Sequence, residues 1–378
     1  MIRALDAVRA IAFLMVFFFH ERVFDFGWSG VQFFFVLSGF LITRILIATT
    51  HLPFKDYLKV FYGRRVLRIF PIYYLYLGVV AIVVHYLITA RHLRYTDLLE
   101  FRQHAVYALS YLYNFFNVTV LFDNNEFLTH FWSLAVEEQF YLVWPFLIFF
   151  MMRKNINKWF LITVIAAGPV LRMMTFVFFN HSTNPWLTDN SLMAVYVLPF
   201  SHLDAFATGG LLSQIKIKGA PRLLLAAAAI ALVAGYGSYL LEGYPIHSLS
   251  SLGYPHYLPM GYYKFLWGYT LLNIVFGLWI YCVASEPFMQ KWFENKTMVY
   301  LGKISYGLYI FHLPIIYTTK GLIKAYSLTV PLPLKMIIDL LLVIAVAGLS
   351  YRYFERFFLG LKDRLFAKKA SAKKPGMA

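Results

Sequence analysis

Long apolar segments alternate with short polar connectors along the whole chain. Eleven segments are long and apolar enough to be considered as membrane-spanning helices. In chain order they are 5–20, 28–47, 64–89, 105–121, 131–152, 159–179, 192–214, 222–241, 262–285, 304–324 and 334–358. This pattern predicts an all-α integral membrane protein.

Basic residues in the connectors predict how the segments are oriented. Lys and Arg are absent from the loops 181–191 and 242–261. They cluster in residues 153–158, 216–222, 290–303 and in the tail from Lys362. Because basic loops lie preferentially on the cytoplasmic side, the alternation predicts that these clusters are cytoplasmic.

The same rule assigns residues 44–68 to the cytoplasm, so one segment within 70–130 cannot cross the membrane. We choose 105–121, because it is short and carries polar side chains. We therefore predict a bundle of about ten transmembrane helices plus one re-entrant or interfacial helix, with both termini in the cytoplasm. Residues 1–360 are expected to form the membrane domain, and residues 361–378 a basic cytoplasmic tail.

Composition supports the membrane class and narrows the partners. The chain is 60% hydrophobic and 14% charged, whereas soluble domains are about 45–50% apolar and about 25% charged. The net charge is +16, but the basic residues lie in short runs between apolar segments, so we expect no nucleic-acid partner. The single cysteine, Cys282, excludes an intramolecular disulfide and a cysteine-based metal site.

The first apolar segment carries Asp6, Arg9 and His20, and we do not expect it to be a cleaved signal peptide. Polar groups at membrane depth are costly and are commonly functional. Arg9 and His20 are eleven residues apart, so on a helix they share one face and lie about 16 Å apart. We interpret them as a charge and a base that line one buried path. The alternative is that they only pair with other helices.

The third segment opens with three arginines at the start of a predicted helix. Arg65 and Arg68 are three residues apart and therefore share a face. A pair of guanidinium groups at a membrane boundary suits bidentate contact with phosphate oxygens. The pattern alone favours lipid headgroups as the bearer of that phosphate, with coenzyme A as the alternative.

The segment 131–152 and the residue before it carry a polar cluster of His130, Trp132, Ser133 and Glu137. His130 and Glu137 are two helical turns apart and face the same way. Two interpretations remain open. Glu137 could form a structural ion pair with an arginine or histidine, or the cluster could bind a polar acceptor such as a sugar, with Trp132 as the stacking platform.

Two further features are structural expectations. Gly27, Gly30 and Gly39 should permit close helix packing, with the first two segments forming an antiparallel hairpin. His312 looks like a lone imidazole, which is more often a hydrogen-bonded interior residue than a catalyst. No cluster of His, Cys and Asp has metal-ligand spacing, so no metal is expected.

Together these stretches resemble the acyltransferase 3 family of multi-span membrane acyltransferases, which includes bacterial O-antigen O-acetylases. The resemblance covers almost the whole chain, and six motifs in the right order make it specific. They are LDAVRAIA…H (5–20), GVQFFFVLSGFLI (30–42), FYGRRVLRIFPIYY (61–74), HFWSLAVEEQFYLVWP (130–145), LGKISYGLYIFHLPI (301–315) and LSYRYFERFF (349–358).

The resemblance implies transfer of an acyl group, usually acetyl, from cytoplasmic acyl-CoA to a sugar hydroxyl on the far side of the membrane. The family's essential first-helix pair matches Arg9 and His20, and its Arg-x-x-Arg motif matches Arg65 and Arg68. The resemblance thereby shifts the expected ligand of these arginines from lipid to acyl donor. The family often has Arg where this chain has His202, so any role of that Arg is in doubt here.

The Trp-Ser-Leu…Glu motif of the same family matches Trp132, Ser133 and Glu137. Our hypothesis is a multi-pass O-acyltransferase of the bacterial inner membrane that uses acetyl-CoA or a related acyl-CoA. The assigned roles are catalytic for His20 and Glu137, acyl-CoA-binding for Arg9, Arg65 and Arg68, and acceptor-binding for His130, Trp132 and Ser133.

The expected partners are membrane lipids and a glycan or lipid-linked saccharide acceptor; homo-oligomerisation is left open. Two other functions remain as alternatives. One is a secondary transporter for a glycan precursor or an acidic metabolite, and the other is a non-enzymatic scaffold for a polysaccharide synthase.

Overall fold

The computed structural model describes residues 2–90, 96–241, 243 and 246–370, and most of them are helical. The α-helices are α1 (Ala4–His20), α2 (Ser29–Thr49), α3 (Phe54–Thr89), α4 (Thr96–Leu109), α5 (Tyr113–Phe116), α6 (Phe131–Arg153), α7 (Asn157–Asn180), α8 (Ser191–Val197), α9 (Leu203–Leu212), α10 (Ala220–Leu241), α11 (Lys264–Ser285), α12 (Pro287–Phe293), α13 (Lys296–Lys303), α14 (Ser305–Ala325), α15 (Leu332–Ser350) and α16 (Arg356–Ala370). A π-helical turn, Tyr351–Glu355, joins the last two.

Within the described residues, seven helical segments are long and apolar enough to cross a membrane. They are Asp25–Thr49, Phe54–Thr89, Phe131–Arg153, Asn157–Asn180, Ala220–Ser238, Gly261–Ser285 and Leu332–Phe366. The helices α13 and α14 give an eighth if the pair, bent by 75°, counts as one span. The all-α, multi-pass class is confirmed, whereas the predicted count of about ten is not.

When the bent pair is counted as the span predicted at 304–324, two of the predicted spans account for the remaining difference. The first, α1, has 17 residues and includes the charged Asp6 and Arg9. It lies inside the bundle, in contact with α2, α11, α12, α13 and α14. The segment 192–214 is broken at Leu198 and Pro199 into α8, a short 3-10 helix and α9. Proline lacks a backbone N–H and disfavours a helical residue before it, which explains the break.

Two predicted segments have other boundaries in the structure. The helix that carries Arg65 and Arg68 begins earlier than predicted, at Phe54 directly after Pro53. The segment 105–121 is not one helix, because α4 ends at Leu109 and the backbone reverses at Tyr111, where φ is 54°.

The predicted basic tail is helical where it is described. Its residues up to Ala370 belong to α16, which packs against α3 and brings Asp363 3.7 Å from Arg64. Residues 371–378 lie outside the described residues.

Close contacts at glycine hold α2 between its neighbours. A Cβ atom on Gly30 would lie 2.5 Å from the carbonyl oxygen of Ala12 in α1, and one on Gly39 would lie 2.1 Å from that of Phe206 in α9. Any side chain at either position would therefore displace backbone. The predicted hairpin of α1 and α2 and the role of glycine in close packing are confirmed.

Candidate active site

One cavity collects the arginines that the motifs single out. Arg9 of α1 and Arg65 and Arg68 of α3 line it together with Ser133 and Glu137 of α6, around about 790 Å³ of empty space that includes its open mouth. We call it the arginine cavity. Helical spacing explains why Arg65 and Arg68 reach the same space, because residues three apart share one face of α3.

A second cavity lies at the other end of α1. His20 lines it with His130, Trp132 and His256, and it encloses about 1250 Å³ including its opening. We call it the histidine cavity. The polar residues 123–126 of the loop before α6 also form part of its wall. The two candidate residues of α1 therefore open into different cavities, although they lie on one helix.

The two cavities meet at Val31 and Tyr309, which line both of them. The Tyr309 hydroxyl lies 2.5 Å from the Ser133 hydroxyl and donates a longer hydrogen bond, 3.4 Å, to the backbone carbonyl of His130. The Ser133 hydroxyl also donates to that carbonyl, at 3.1 Å. One hydrogen-bonded tyrosine side chain thus stands where the cavities adjoin.

The arginine cavity has positive and negative groups in its wall. Arg9 forms an ion pair with Asp6 one turn earlier in α1. The Arg65 guanidinium lies over the Tyr141 ring, 5.1 Å from its centre. Arg68 lines the cavity and forms no ion pair within 4 Å among the described residues.

Glu137 accepts hydrogen bonds from the hydroxyls of Ser38 and Tyr141. The ion pair with an arginine or histidine considered for this carboxylate is absent from the described part of the chain. Glu137 also makes no hydrogen bond with His20, since the two side chains line different cavities. Ser133 lies in the arginine cavity too, apart from the acceptor residues with which the sequence grouped it.

Three histidine rings lie in a row beside the histidine cavity. The ring centre of His312 is 5.1 Å from that of His20 and 5.4 Å from that of His130. His130 Nε2 donates to the carbonyl oxygen of Ile310 at 3.1 Å, and His312 Nδ1 donates to that of Tyr309 at 2.6 Å. The expectation that His312 is hydrogen-bonded in the interior is confirmed. The expectation that it is a lone imidazole is wrong, because the neighbouring rings come from α1 and from the residue before α6.

Aromatic side chains form another part of the wall of the histidine cavity. Trp132 packs 4.6 Å from Tyr196, centre to centre, and is only 8% exposed, so only a small part of it borders the cavity. His256, in the loop before α11, packs 4.7 Å from Tyr196. Desolvation and the nearby His20 lower the pKa of His256 to about 3, so His256 is neutral at pH 7.

His202 and Asp204 serve the packing of the bundle. His202 contacts the Gln32 side chain at 3.0 Å and the carbonyl oxygen of Tyr196 at 2.7 Å. Asp204 forms an ion pair with Arg172 of α7 at 3.0 Å, and both side chains are fully buried. Asp204 therefore pairs with an arginine from another helix, Arg172. Position 202, where the resemblance leads one to expect an arginine, is a histidine in this chain.

An ionic contact fixes the end of α1 next to His20. Glu21 accepts two hydrogen bonds from Lys335 of α15, at 2.9 and 3.1 Å, and Lys335 also contacts Asp339 at 2.5 Å. The sequence does not indicate this contact, since nothing in the spacing relates residue 21 to residue 335. No group of three His, Cys, Asp or Glu residues in the described ranges could hold a metal ion.

The family profile described as "Acyltransferase domain", acyltransferase 3, matches residues 2–352. The chain belongs to this family. It is similar to the peptidoglycan O-acetyltransferase OatA of Listeria monocytogenes, with 27% identity over 393 residues, which cover 96% of this chain and 58% of that protein. It is also similar to the O-acetyltransferase OatA of Staphylococcus aureus, with 26% identity over 377 residues that cover 93% of this chain and 56% of that protein.

The chain thus spans a little over half the length of these curated relatives. No solved structure matches it. Membership of the acyltransferase 3 family confirms the resemblance inferred from the motifs. The assigned roles of the individual residues stay predictions, and the two cavities show which of these residues could act on the same molecule.

Proposed function

We propose that the chain is a membrane O-acetyltransferase that transfers an acetyl group from acetyl-CoA to a hydroxyl of a cell-wall glycan. The observation that carries this proposal is the arrangement of two adjoining cavities, one with three arginines in its wall and one with three histidines in its wall and a fourth beside it. Family membership and the names of both relatives support the type of reaction, and the name of the Listeria relative supports the class of acceptor.

The donor belongs to the arginine cavity in this proposal. Coenzyme A carries phosphate groups, and arginine pairs are suited to phosphate because each guanidinium can donate two parallel hydrogen bonds. Arg9 and His20 are eleven residues apart on α1, which corresponds to roughly 16 Å along a helix. The extended arm of acetyl-CoA would pass Tyr309, so that the thioester meets the acceptor where the cavities adjoin.

The acceptor belongs to the histidine cavity. Sugars bind to sites that combine aromatic surfaces with hydrogen-bonding side chains, and Trp132, Tyr196 and His256 lie beside the polar residues 123–126 in its wall. Histidine is the side chain whose ordinary pKa suits proton transfer near neutral pH. His20 is the base in this proposal, while His130 and Trp132 contact the acceptor.

The transfer step balances without a cofactor or metal. A nitrogen of His20 takes the proton of the acceptor hydroxyl while the hydroxyl oxygen attacks the thioester carbonyl carbon. The carbon–sulfur bond breaks, and the leaving thiolate takes the proton from His20. Ser133 and Tyr309 have hydroxyl groups at the junction, and Glu137 holds the hydroxyls of Ser38 and Tyr141 on the donor side.

The proposed orientation places the arginine cavity towards the cytoplasm and the histidine cavity towards the outside of the inner membrane. It follows the sequence prediction, made from the basic connectors, that both termini are cytoplasmic. The donor and the acceptor would then be taken up from opposite sides.

The test is acetyl transfer by the full chain in lipid vesicles, with labelled acetyl-CoA and peptidoglycan glycan fragments. His20→Ala should lower kcat by about 100-fold or more, the usual contribution of a general base. His181→Ala is the control, since His181 is exposed after the end of α7 and lines neither cavity. Full activity of His20→Ala would refute the mechanism, and substrate flux without acetyl transfer would favour the transporter.

A further inference from the structure

We propose that His312 is a positioning residue for His20. During the reaction, the Nε2 atom of His312 accepts the N–H of His20 and so leaves the opposite nitrogen of His20 free to act as the base. The inference rests on the proposed function, in which His20 removes the proton from the acceptor hydroxyl.

The hydrogen bond of His312 defines where its ring proton sits. His312 is fully buried in α14, and its Nδ1 lies 2.6 Å from the carbonyl oxygen of Tyr309. A carbonyl oxygen only accepts hydrogen bonds, so Nδ1 carries the proton of the neutral ring. Nε2 is then an acceptor, and it has no hydrogen-bond partner among the described residues.

The unpartnered nitrogen belongs to a ring that lies beside His20. The two ring centres are 5.1 Å apart, closer than the His312 ring centre is to that of Phe13, His130 or Tyr309. Two imidazoles joined by one N–H···N hydrogen bond of about 2.9 Å have their centres roughly 5 Å apart. The rings are inclined by 50° and make no hydrogen bond as they stand. At this separation, we expect rotation of the His20 ring to bring its N–H to the Nε2 atom of His312.

His312 stands behind His20 with respect to the substrate. His20 and His130 line the histidine cavity, whereas His312 lines neither of the two cavities. His130 also has an unpartnered nitrogen, Nδ1, but this ring is in the cavity wall, where an acceptor can contact it. The positions suit His130 for contact with substrate and His312 for support of the base.

A purely structural role would not require a nitrogen at this place. A buried acceptor without a partner is destabilising, and a carbon atom there would avoid that cost. The unpartnered Nε2 of His312 is explained if it is used when His20 rotates towards it.

The chemical consequence concerns the two nitrogens of His20. When one donates its N–H to His312, the other must present a lone pair, which is what a base needs. After His20 takes the hydroxyl proton it carries a positive charge, and the lone pair of His312 stabilises it. The proton leaves on the thiolate of coenzyme A as the carbon–sulfur bond breaks, and His312 keeps its own proton throughout.

Two substitutions separate the two nitrogens of His312. In His312→Asn, the amide nitrogen can still donate to the carbonyl of Tyr309, but nothing remains at Nε2. In His312→Gln, the longer side chain can bring an amide oxygen to the place of Nε2. The assay is acetyl transfer from labelled acetyl-CoA to peptidoglycan glycan fragments by the full chain in vesicles, with KM for both substrates and the melting temperature measured.

We expect His312→Asn to lower kcat by about 10-fold or more, with KM values and melting temperature near those of the original chain. His312→Gln should recover most of that loss. Unchanged kcat in His312→Asn would overturn the inference, and so would equal losses in both variants together with a lower melting temperature. Loss of activity in His20→Ala beside an unaffected His312→Asn would refute only this inference, whereas full activity of His20→Ala would refute the proposed function as well.

Discussion

The sharpest prediction concerns Arg65 and Arg68, because a neighbouring arginine supplies a matched control. Both line the arginine cavity, whereas Arg64 does not and instead lies 3.7 Å from Asp363 of α16. If the cavity binds the phosphates of acetyl-CoA, Arg65→Ala or Arg68→Ala should weaken binding, and Arg64→Ala should have little effect. All three changes remove one positive charge from the same helix, so a difference between them reports position rather than net charge.

The expected magnitude follows from the bonds that are lost. A hydrogen bond to a charged group contributes about 1.5–3 kcal/mol, and each 1.4 kcal/mol corresponds to about a tenfold change in affinity. The Kd for acetyl-CoA should therefore rise about 10- to 100-fold. Arg65→Lys should weaken binding less than Arg65→Ala, since lysine keeps the charge but loses the planar fork.

Thermal unfolding in detergent measures this directly. A ligand at about 100 times its Kd stabilises the folded protein by about 2.7 kcal/mol. The same concentration after a roughly 30-fold loss of affinity gives about 0.9 kcal/mol, so most of the shift in melting temperature on adding acetyl-CoA should disappear. An unchanged shift in Arg65→Ala and Arg68→Ala would refute the reasoning and return these residues to contact with lipid headgroups. An equal loss in Arg64→Ala would do so as well.

Two further predictions concern stability. Gly39→Ala should lower the melting temperature, because the added Cβ would lie 2.1 Å from the Phe206 carbonyl oxygen. Overpacking of this kind costs about 1–3 kcal/mol. Gly78→Ala is the control, since no atom lies within 4 Å of a Cβ at that position. Asp204→Asn should destabilise the fold by about 3–5 kcal/mol in denaturant unfolding, because it leaves the fully buried Arg172 charge without its partner. Equal stability of the two glycine variants would contradict the close packing of α2 against α9, and an unaffected Asp204→Asn would contradict the role of the buried ion pair.

The sequence by itself determined what depends on one helix or on composition. Apolar length and basic connectors identified a multi-pass all-α membrane protein, and six ordered motifs identified the family that the profile match confirms. Spacing of three residues put Arg65 and Arg68 on one face, and both do line one cavity. Close packing at Gly30 and Gly39 also followed from residue type, because only glycine lets two backbones approach so closely.

The tertiary structure decided which helices meet, and this determines the composition of each cavity. His20 and His312 are in different motifs at opposite ends of the chain, and no spacing rule relates them, yet their rings are 5.1 Å apart. Glu137 takes its partners from α2 and from its own helix, and the ion pair that was one of its two interpretations is absent from the described residues.

Tertiary packing also explains why α1 differs from the predicted membrane span. A hydropathy pattern reports how apolar a segment is, but not whether other helices surround it. The short and charged α1 is sheltered by its neighbours inside the bundle, and its charged Arg9 and its His20 open into two separate cavities. Helical periodicity placed these two residues on one face of α1, and only the packing of the other helices around that face divided the space beside it.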